Sequence, residues 1–442
     1  GLTRIDPDTG EVKRLKAKFP WPNEVGATAG RDAVIVSDGF LVPGRADGGV
    51  FAVVHPGKDK IERKVKLSDE RDGWYYHRAV WVDLTGDGRL SILAARARRP
   101  NANSVSSMGE LVWLERPKPP KYSEETGEAL ELDGSKFDEF SDIHTPWKTT
   151  KLCNGPDVMF SVADLDPKDD TIEVIASEFF GKKVSLHSIR IHDGLPSVVF
   201  SREIDSTCGS AYSCVLGDLG VSGNTAPTVI DAGSTVEHHE AGDSFTHVLV
   251  TSHECTYDNR DDEHEAGSHS STTGYKHYSG DEVRDGGQLF AYRVPVNWRN
   301  ELWHRSCIAS GFKCKTTLNI NPGAPGFVYL FHPNKNDPSG PPHIALSGDG
   351  AEAAFIFRPS DPPPSTSNLV QHLNEHSQRL GVPPHPSVDP KYSLMCEVDC
   401  GATVGSLAVS YDSFGDDGYA KLFMAAYEKD RVFVMAFAPV NL

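Results

Sequence analysis

The sequence predicts an all-β fold, a single β-propeller over residues 1–442, closed by an outer strand from the N-terminus. Three observations predict it. A strand, an acidic turn and a second strand run from Trp74 to Asp83, through Thr85-Gly86-Asp87-Gly88, and on from Leu90 to Arg96. The same unit recurs from Val158 to Glu178, from Tyr212 to His253 and from Ser406 to Tyr427. Long segments of helical periodicity are absent, and the last copy supplies three strands while the N-terminus offers a spare one. β-branched and aromatic runs broken by Asp and Gly read as strand pairs. Such a pair cannot bury both faces alone, so it stacks on copies of itself. Ring closure then hides the sheet edges that an open sandwich would leave.

In chain order, a turn at residues 6–10 precedes an alternating strand over 11–17, read as an outer strand without partners of its own. Residues 22–68 give strands at 33–38, 49–54 and 61–67. Residues 74–152 repeat this with third and fourth strands at 109–114 and 147–152. The copy over 156–204 is the most compact, and that over 211–309 the most interrupted. Strands at 327–331, 343–347 and 353–357 follow, then a Pro-rich connection with a short helix near 369–380, and a last copy over 402–438. Inserted loops fall at 115–146, 253–287 and 358–392, and direct counting gives about six blades.

A formal net charge of −18 without long basic runs argues against a nucleic-acid partner, since phosphates need a Lys/Arg surface. No apolar run approaches the roughly 18 residues of a membrane span, so a soluble monomer with no membrane partner is expected. Of the eight cysteines, Cys208 with Cys214, Cys307 with Cys314 and Cys396 with Cys400 are close in sequence, leaving Cys153 and Cys255. The even count and the lack of a CxxC zinc pattern predict disulfides and a secreted protein, the alternative being buried thiols.

The acidic turns carry the most regular chemistry. Asp83, Thr85 and Asp87, then Asp164 and Asp166, then Asp412 and Asp416 cluster hard oxygen ligands at calcium-like spacing and resemble the acidic repeats of integrin-like propellers. Asp and Gly are also ordinary turn formers. At the other end of the second strands an apolar, small, small pattern delivers a different polar residue each time. These are Asp38, Arg96, Glu178, His253 and Tyr427, with Asp349 just past the end of the remaining copy. In a propeller these ends share one face around the axis with the starts of the first strands. A ring of unlike polar groups on a repeating scaffold is the pattern of one binding site. Among the first-strand starts, His77 replaces Val158, Tyr212 and Ser406, with Arg78 beside it. Arg98, Arg99 and Lys429 add cations beyond the ring. His77 also reads as a packed core histidine. The polar loop holding His264, His269 and His277 reads as a lid, and no nucleophile triad or phosphate loop is present.

Residues 37–50, Ser-Asp-Gly-Phe-Leu-Val-Pro-Gly-Arg-Ala-Asp-Gly-Gly-Val, and the stretch from Tyr75 to Asp83 resemble two related kinds of secreted fungal propeller. These are the L-rhamnose-α-1,4-D-glucuronate lyases and the propeller domain of aldos-2-ulose dehydratases. The sharper part covers about residues 30–100, and the chain has no room for the dehydratases' cupin domains. The lyase resemblance implies a single seven-bladed propeller, a divalent cation such as calcium near its centre, and an acidic plant polysaccharide or oligosaccharide as substrate. β-Elimination at the non-reducing end would then leave an unsaturated glucuronate. That reaction needs the carboxylate neutralised, a base at C5 and an acid for the leaving oxygen. Arg78, Arg96, Arg98 and Lys429 are candidates for the first role. His77 and His253 are candidates for base and acid, with Tyr212 or Tyr427 as substitutes, and Glu178 and Asp38 complete the expected substrate ring. The alternatives are a sugar-binding propeller without catalysis and a dehydratase acting on a free sugar.

Overall fold

A computed structural model describes residues 3–6, 9, 11–14, 18–28, 32–40, 47–56, 63–69, 73–86, 89–98, 108–117, 143, 146–219, 228–229, 244–255, 286–315, 323–360, 391–411 and 418–438. Six antiparallel sheets follow one another around the ring among these residues. The first blade holds Pro22–Ala27, Ala33–Asp38, Gly49–Val54 and Arg63–Lys66. The second holds Tyr75–Val82, Ser91–Arg98, Met108–Glu115 and Lys148–Asn154. The third comprises Met159–Asp164, Thr171–Glu178, Lys183–His192 and Leu195–Asp205, with Thr228–Val229 paired onto its first strand. Ala211–Gly217, His247–Ser252, Gly287–Arg293 and His304–Phe312 form the fourth blade. Val328–Phe331, His343–Ser347, Ala353–Pro359 and Tyr392–Asp399 form the fifth. Leu407–Ser410, Lys421–Ala426 and Arg431–Ala436 make a three-stranded sixth.

Two expectations change. The seven blades implied by the resemblance are not found. The described strands form six blades, and across two of the insertions the flanking strands pair directly, His247–Ser252 with Gly287–Arg293 and Ala353–Pro359 with Tyr392–Asp399. Nor does the N-terminal strand pair with the last blade. Val12–Arg14 pairs with Thr3–Ile5 in a hairpin, whose turn is held by the Asp6 carboxylate accepting from the Thr9 amide and hydroxyl, each at 2.9 Å. Arg14 lies 3.6 Å from Asp430, which sets this hairpin beside the sixth blade without joining its sheet. The helix expected near 369–380 lies outside the described residues, and no described helix is long and apolar enough to cross a membrane.

The core lies between blades. Val80, Leu93 and Trp113 of the second blade meet Phe160, Val162 and Val174 of the third, all buried. Aromatic and branched side chains on both faces of each sheet make every blade half of two such cores. The predicted disulfides are absent, and all eight cysteines are free. Strand geometry forbids two of the pairs. Cys396 lies in Tyr392–Asp399 and Cys400 just beyond it, so extended backbone separates them by about 13 Å, where a disulfide needs Cα atoms within about 7 Å. Cys307 and Cys314 are likewise separated along His304–Phe312. Cys208 and Cys214 sit buried in one apolar cluster, where the Cys214 sulfur lies 3.3 Å from the Ile175 carbonyl of the neighbouring blade.

Candidate active site

Three first strands carry an extra residue at the same place. Pro22 pairs with Asp38 and Glu24 with Ser37, leaving Asn23 over. Tyr76 pairs with Arg96 and Arg78 with Ala95, leaving His77 over. In the fourth blade the slip between Ala211 and Cys214 contains Tyr212. An extra residue is released from the alternation of the sheet and re-aimed. Asn23, His77 and Tyr212 accordingly line one central cavity of about 360 Å³, to which all six blades contribute.

Its walls are largely aromatic: Trp21, Phe40, Phe179, Phe180, Tyr212, Phe327 and Tyr427. Trp21 stacks on Phe40 at 4.8 Å and lies 6.1 Å from Tyr427, while Tyr212 stacks on Phe327 at 4.8 Å. Aromatic walls with a few convergent polar groups are the make-up of a small-molecule site. The titratable polar groups among them include two histidines and two carboxylates, beside the neutral Asn23, Thr403 and Ser406. Among the described residues no lysine or arginine lines the cavity.

The His77 ring is buried, and its Nδ1 donates to the Asp157 carbonyl at 3.0 Å. A carbonyl can only accept, so Nε2 keeps the lone pair. Burial lowers the imidazole to about 4, so His77 is neutral at physiological pH. Asp157 is anchored in turn, its carboxylate accepting the amides of Phe179 at 2.7 Å and Phe180 at 2.8 Å. His253 repeats the arrangement two blades further round. Its Nδ1 donates to the Pro325 carbonyl at 2.9 Å, its ring stacks on Tyr212 at 4.6 Å, and burial holds it below the usual imidazole range. Its Nε2, however, lies 3.8 Å from Asp349 Oδ2. Burial, reinforced by the Glu428 charge, raises the Asp349 carboxyl to about 7. Glu428 accepts from the Thr403 amide at 2.8 Å and the Thr403 hydroxyl at 2.6 Å.

Of the residues singled out in the sequence, the structure brings His77, Tyr212, His253 and Tyr427 to this cavity, together with Asp349. It does not bring Arg78, Arg96, Arg98, Glu178, Lys429 or Asp38 to the described lining. Arg78 is fully buried against Glu24 at 2.9 Å, joining the first and second blades. Arg96 is buried between Glu110 at 2.9 Å and Asp69 at 3.2 Å. Both Arg96 and the exposed Arg98 cover Trp74, at 4.2 and 4.6 Å from its ring. Buried guanidinium groups require such partners, and those partners lie in other strands. Glu178 accepts from Ser185 at 2.5 Å, Lys429 donates to the Cys400 carbonyl at 3.0 Å, and Asp38 accepts from the Trp21 amide at 2.8 Å. The aromatic lining and Glu428 were not read from sequence. Phe179 and Phe180 do follow Glu178 directly, a signal that was there to use.

The acidic turns stand on the opposite ends of the strands. Asp87, Asp412 and Asp416 lie outside the described residues. Asp83, Asp164 and Asp166 are half-buried, and in the third-blade turn Asp169 is taken by Arg299 at 2.6 Å. Among the described residues no group of three or more His, Cys, Asp or Glu is placed to hold a metal ion.

No family model and no curated protein matches the chain. Solved structures resemble it at low identity. A putative 6-phosphogluconolactonase from Bacteroides uniformis is 8% identical with a TM-score of 0.45, over 99% of this chain and 88% of that one. The hydrazine synthase of Kuenenia stuttgartiensis is 11% identical with a TM-score of 0.34, over 96% and 98%. The rhamnogalacturonan lyase YesW is 12% identical with a TM-score of 0.32, over 100% and 75%. At these values no activity passes from them to this chain, whose candidate site rests on its own geometry.

Proposed function

We propose that the chain is a polysaccharide lyase that works in the central cavity by β-elimination, with glucuronate carrying a 4-O-rhamnosyl cap as its substrate. The observation that supports this best is His77, a neutral imidazole on the cavity wall with Nδ1 tethered at 3.0 Å to the Asp157 carbonyl and Nε2 left as the basic nitrogen. In a D-glucuronate the C5 proton and the 4-oxygen lie on one face of the ring. One group can therefore take the proton and return it to the leaving oxygen. The C5–H and C4–O4 bonds break, a C4–C5 double bond forms, and rhamnose departs as the free sugar. A substrate carboxylate close by favours the imidazolium that exists between the two transfers. The aromatic walls formed by Trp21, Phe40 and Tyr427 suit the apolar faces of sugar rings.

The substrate and the family rest on the resemblance over residues 30–100, and no step is routed through a cation. A second reading, a dehydratase acting on a free neutral sugar, gains from the lack of lysine and arginine in the described lining. One experiment separates the two: incubation with gum arabic while following the ultraviolet absorbance of the conjugated unsaturated uronate and the release of rhamnose. Both signals should rise together. Rhamnose without absorbance would mean hydrolysis, and neither signal would favour the dehydratase or a binding protein.

A further inference from the structure

Elimination next to a carboxylate builds negative charge on that carboxylate, so a lyase must present something there that is not itself an anion. The cations that the sequence suggested are committed elsewhere: Arg78 to Glu24, Arg96 to Glu110 and Asp69, and Lys429 to a backbone carbonyl. The described donors do not hold a metal. We propose that the Asp349 carboxyl group receives the substrate's carboxylate, acting as a neutral acid in the place that an arginine or a metal ion would otherwise fill. This rests on the uronate-elimination reading given above.

Asp349 is built for a fixed position. Its backbone exchanges two hydrogen bonds with Val404 of the next blade, at 3.0 and 3.3 Å, and adopts a φ of +47°. Its side chain lines the cavity at the junction of the fifth and sixth blades. None of the described groups that face it is a cation. His253 from the fourth blade is neutral, its Nε2 lying 3.8 Å away. Tyr212, stacked behind His253, has its phenol pushed up by burial and then by Asp349. The Cys314 thiol is raised by burial to about 12, and Glu428 of the sixth blade is an anion. Nothing here favours an ionised Asp349, and everything favours a shared proton with an incoming carboxylate. A short O–H···O⁻ bond of that type is among the strong hydrogen bonds. Above neutrality both partners are anions and repel.

The test is calorimetric titration of the full chain carrying His77→Ala, to prevent turnover, with rhamnosyl-α-1,4-glucuronate and with its methyl ester. Titrations are run at about pH 6 and pH 8, in buffers of different protonation enthalpy. The acid disaccharide should bind about tenfold more weakly at the higher pH and take up close to one proton there. The methyl ester should show neither effect. Asp349→Asn, which keeps a donor without a titrating proton, should bind the acid disaccharide with no pH dependence and no proton uptake. Wild-type turnover with binding that is flat in pH and proton-neutral would overturn the proposal and leave the elimination reading standing. So would loss of binding on adding a chelator. Absence of both turnover by the wild type and binding of either disaccharide would remove the elimination reading and the proposal with it. The proton count of the His77→Ala chain decides the matter even if Asp349→Asn fails to fold.

Discussion

The two walls of the cavity use one backbone device for different ends. On each, a buried histidine hands its Nδ1 proton to a carbonyl of the next blade, Asp157 for His77 and Pro325 for His253. Only His253 has a carboxylate opposite its other nitrogen, Asp349 at 3.8 Å. Tautomer control is therefore shared, while the charge environment is not. The His77 wall presents a bare base among aromatic rings, and the His253 wall presents a carboxyl group inclined to keep its proton. The same residue type thus sits in two different charge environments.

The sharpest way to break the comparison is to remove each imidazole in turn. His77→Ala should lower kcat/KM about a thousandfold with the far-ultraviolet circular dichroism unchanged. His253→Ala should cost roughly tenfold, because Asp349 still carries the proton on that wall. Equal losses would mean that the walls are not distinct. Arg78→Ala should destabilise the fold by about 3–5 kcal/mol in denaturant titration, since it removes one partner of a buried ion pair and leaves the Glu24 carboxylate buried without that countercharge. A fall in turnover without a fall in stability would put Arg78 in the chemistry after all.

Acid should distinguish the walls as well. His77, like His187 and His247, is held at about 4 in the fold, below the 6.5 of a free imidazole. The unfolded chain then binds more protons between those values, so stability is unaffected above about pH 6.5 and falls as pH drops toward 4. For His77 the loss is about 3 kcal/mol. His77→Gln should flatten that part of a melting-temperature profile. The smallest expected effect is at the rim, where Tyr427 is 67% exposed beside Trp21. Tyr427→Ala should raise KM about threefold and leave kcat unchanged.

Much of the architecture was legible because it depends on local pattern. The acidic turns and the small residues ending the second strands located all six second strands within a residue or two, and the polar positions that follow them. What could not be read was partnership. Arg78 looks like a free cation until Glu24, 54 residues earlier and in another blade, is placed against it. Arg96 is the same case, with Glu110 in the next strand and Asp69 before the blade begins. The spare N-terminal strand looked unpaired because the alternation of residues 11–17 says nothing about Thr3–Ile5, which claims it. Blade number was legible by direct counting, which gives the six that the described residues form; the seven implied by the resemblance is not supported.

The slips at Asn23, His77 and Tyr212 separate the cavity from the core. A residue that the sheet has skipped is not part of the ladder, so its side chain is free to reach across to a neighbouring blade: Asn23 donates to the Tyr76 carbonyl at 2.7 Å, His77 to the Asp157 carbonyl at 3.0 Å, and Tyr212 stacks on Phe327. The three positions are rivets as well as fittings, so the surface that meets a ligand is also what ties one blade to the next.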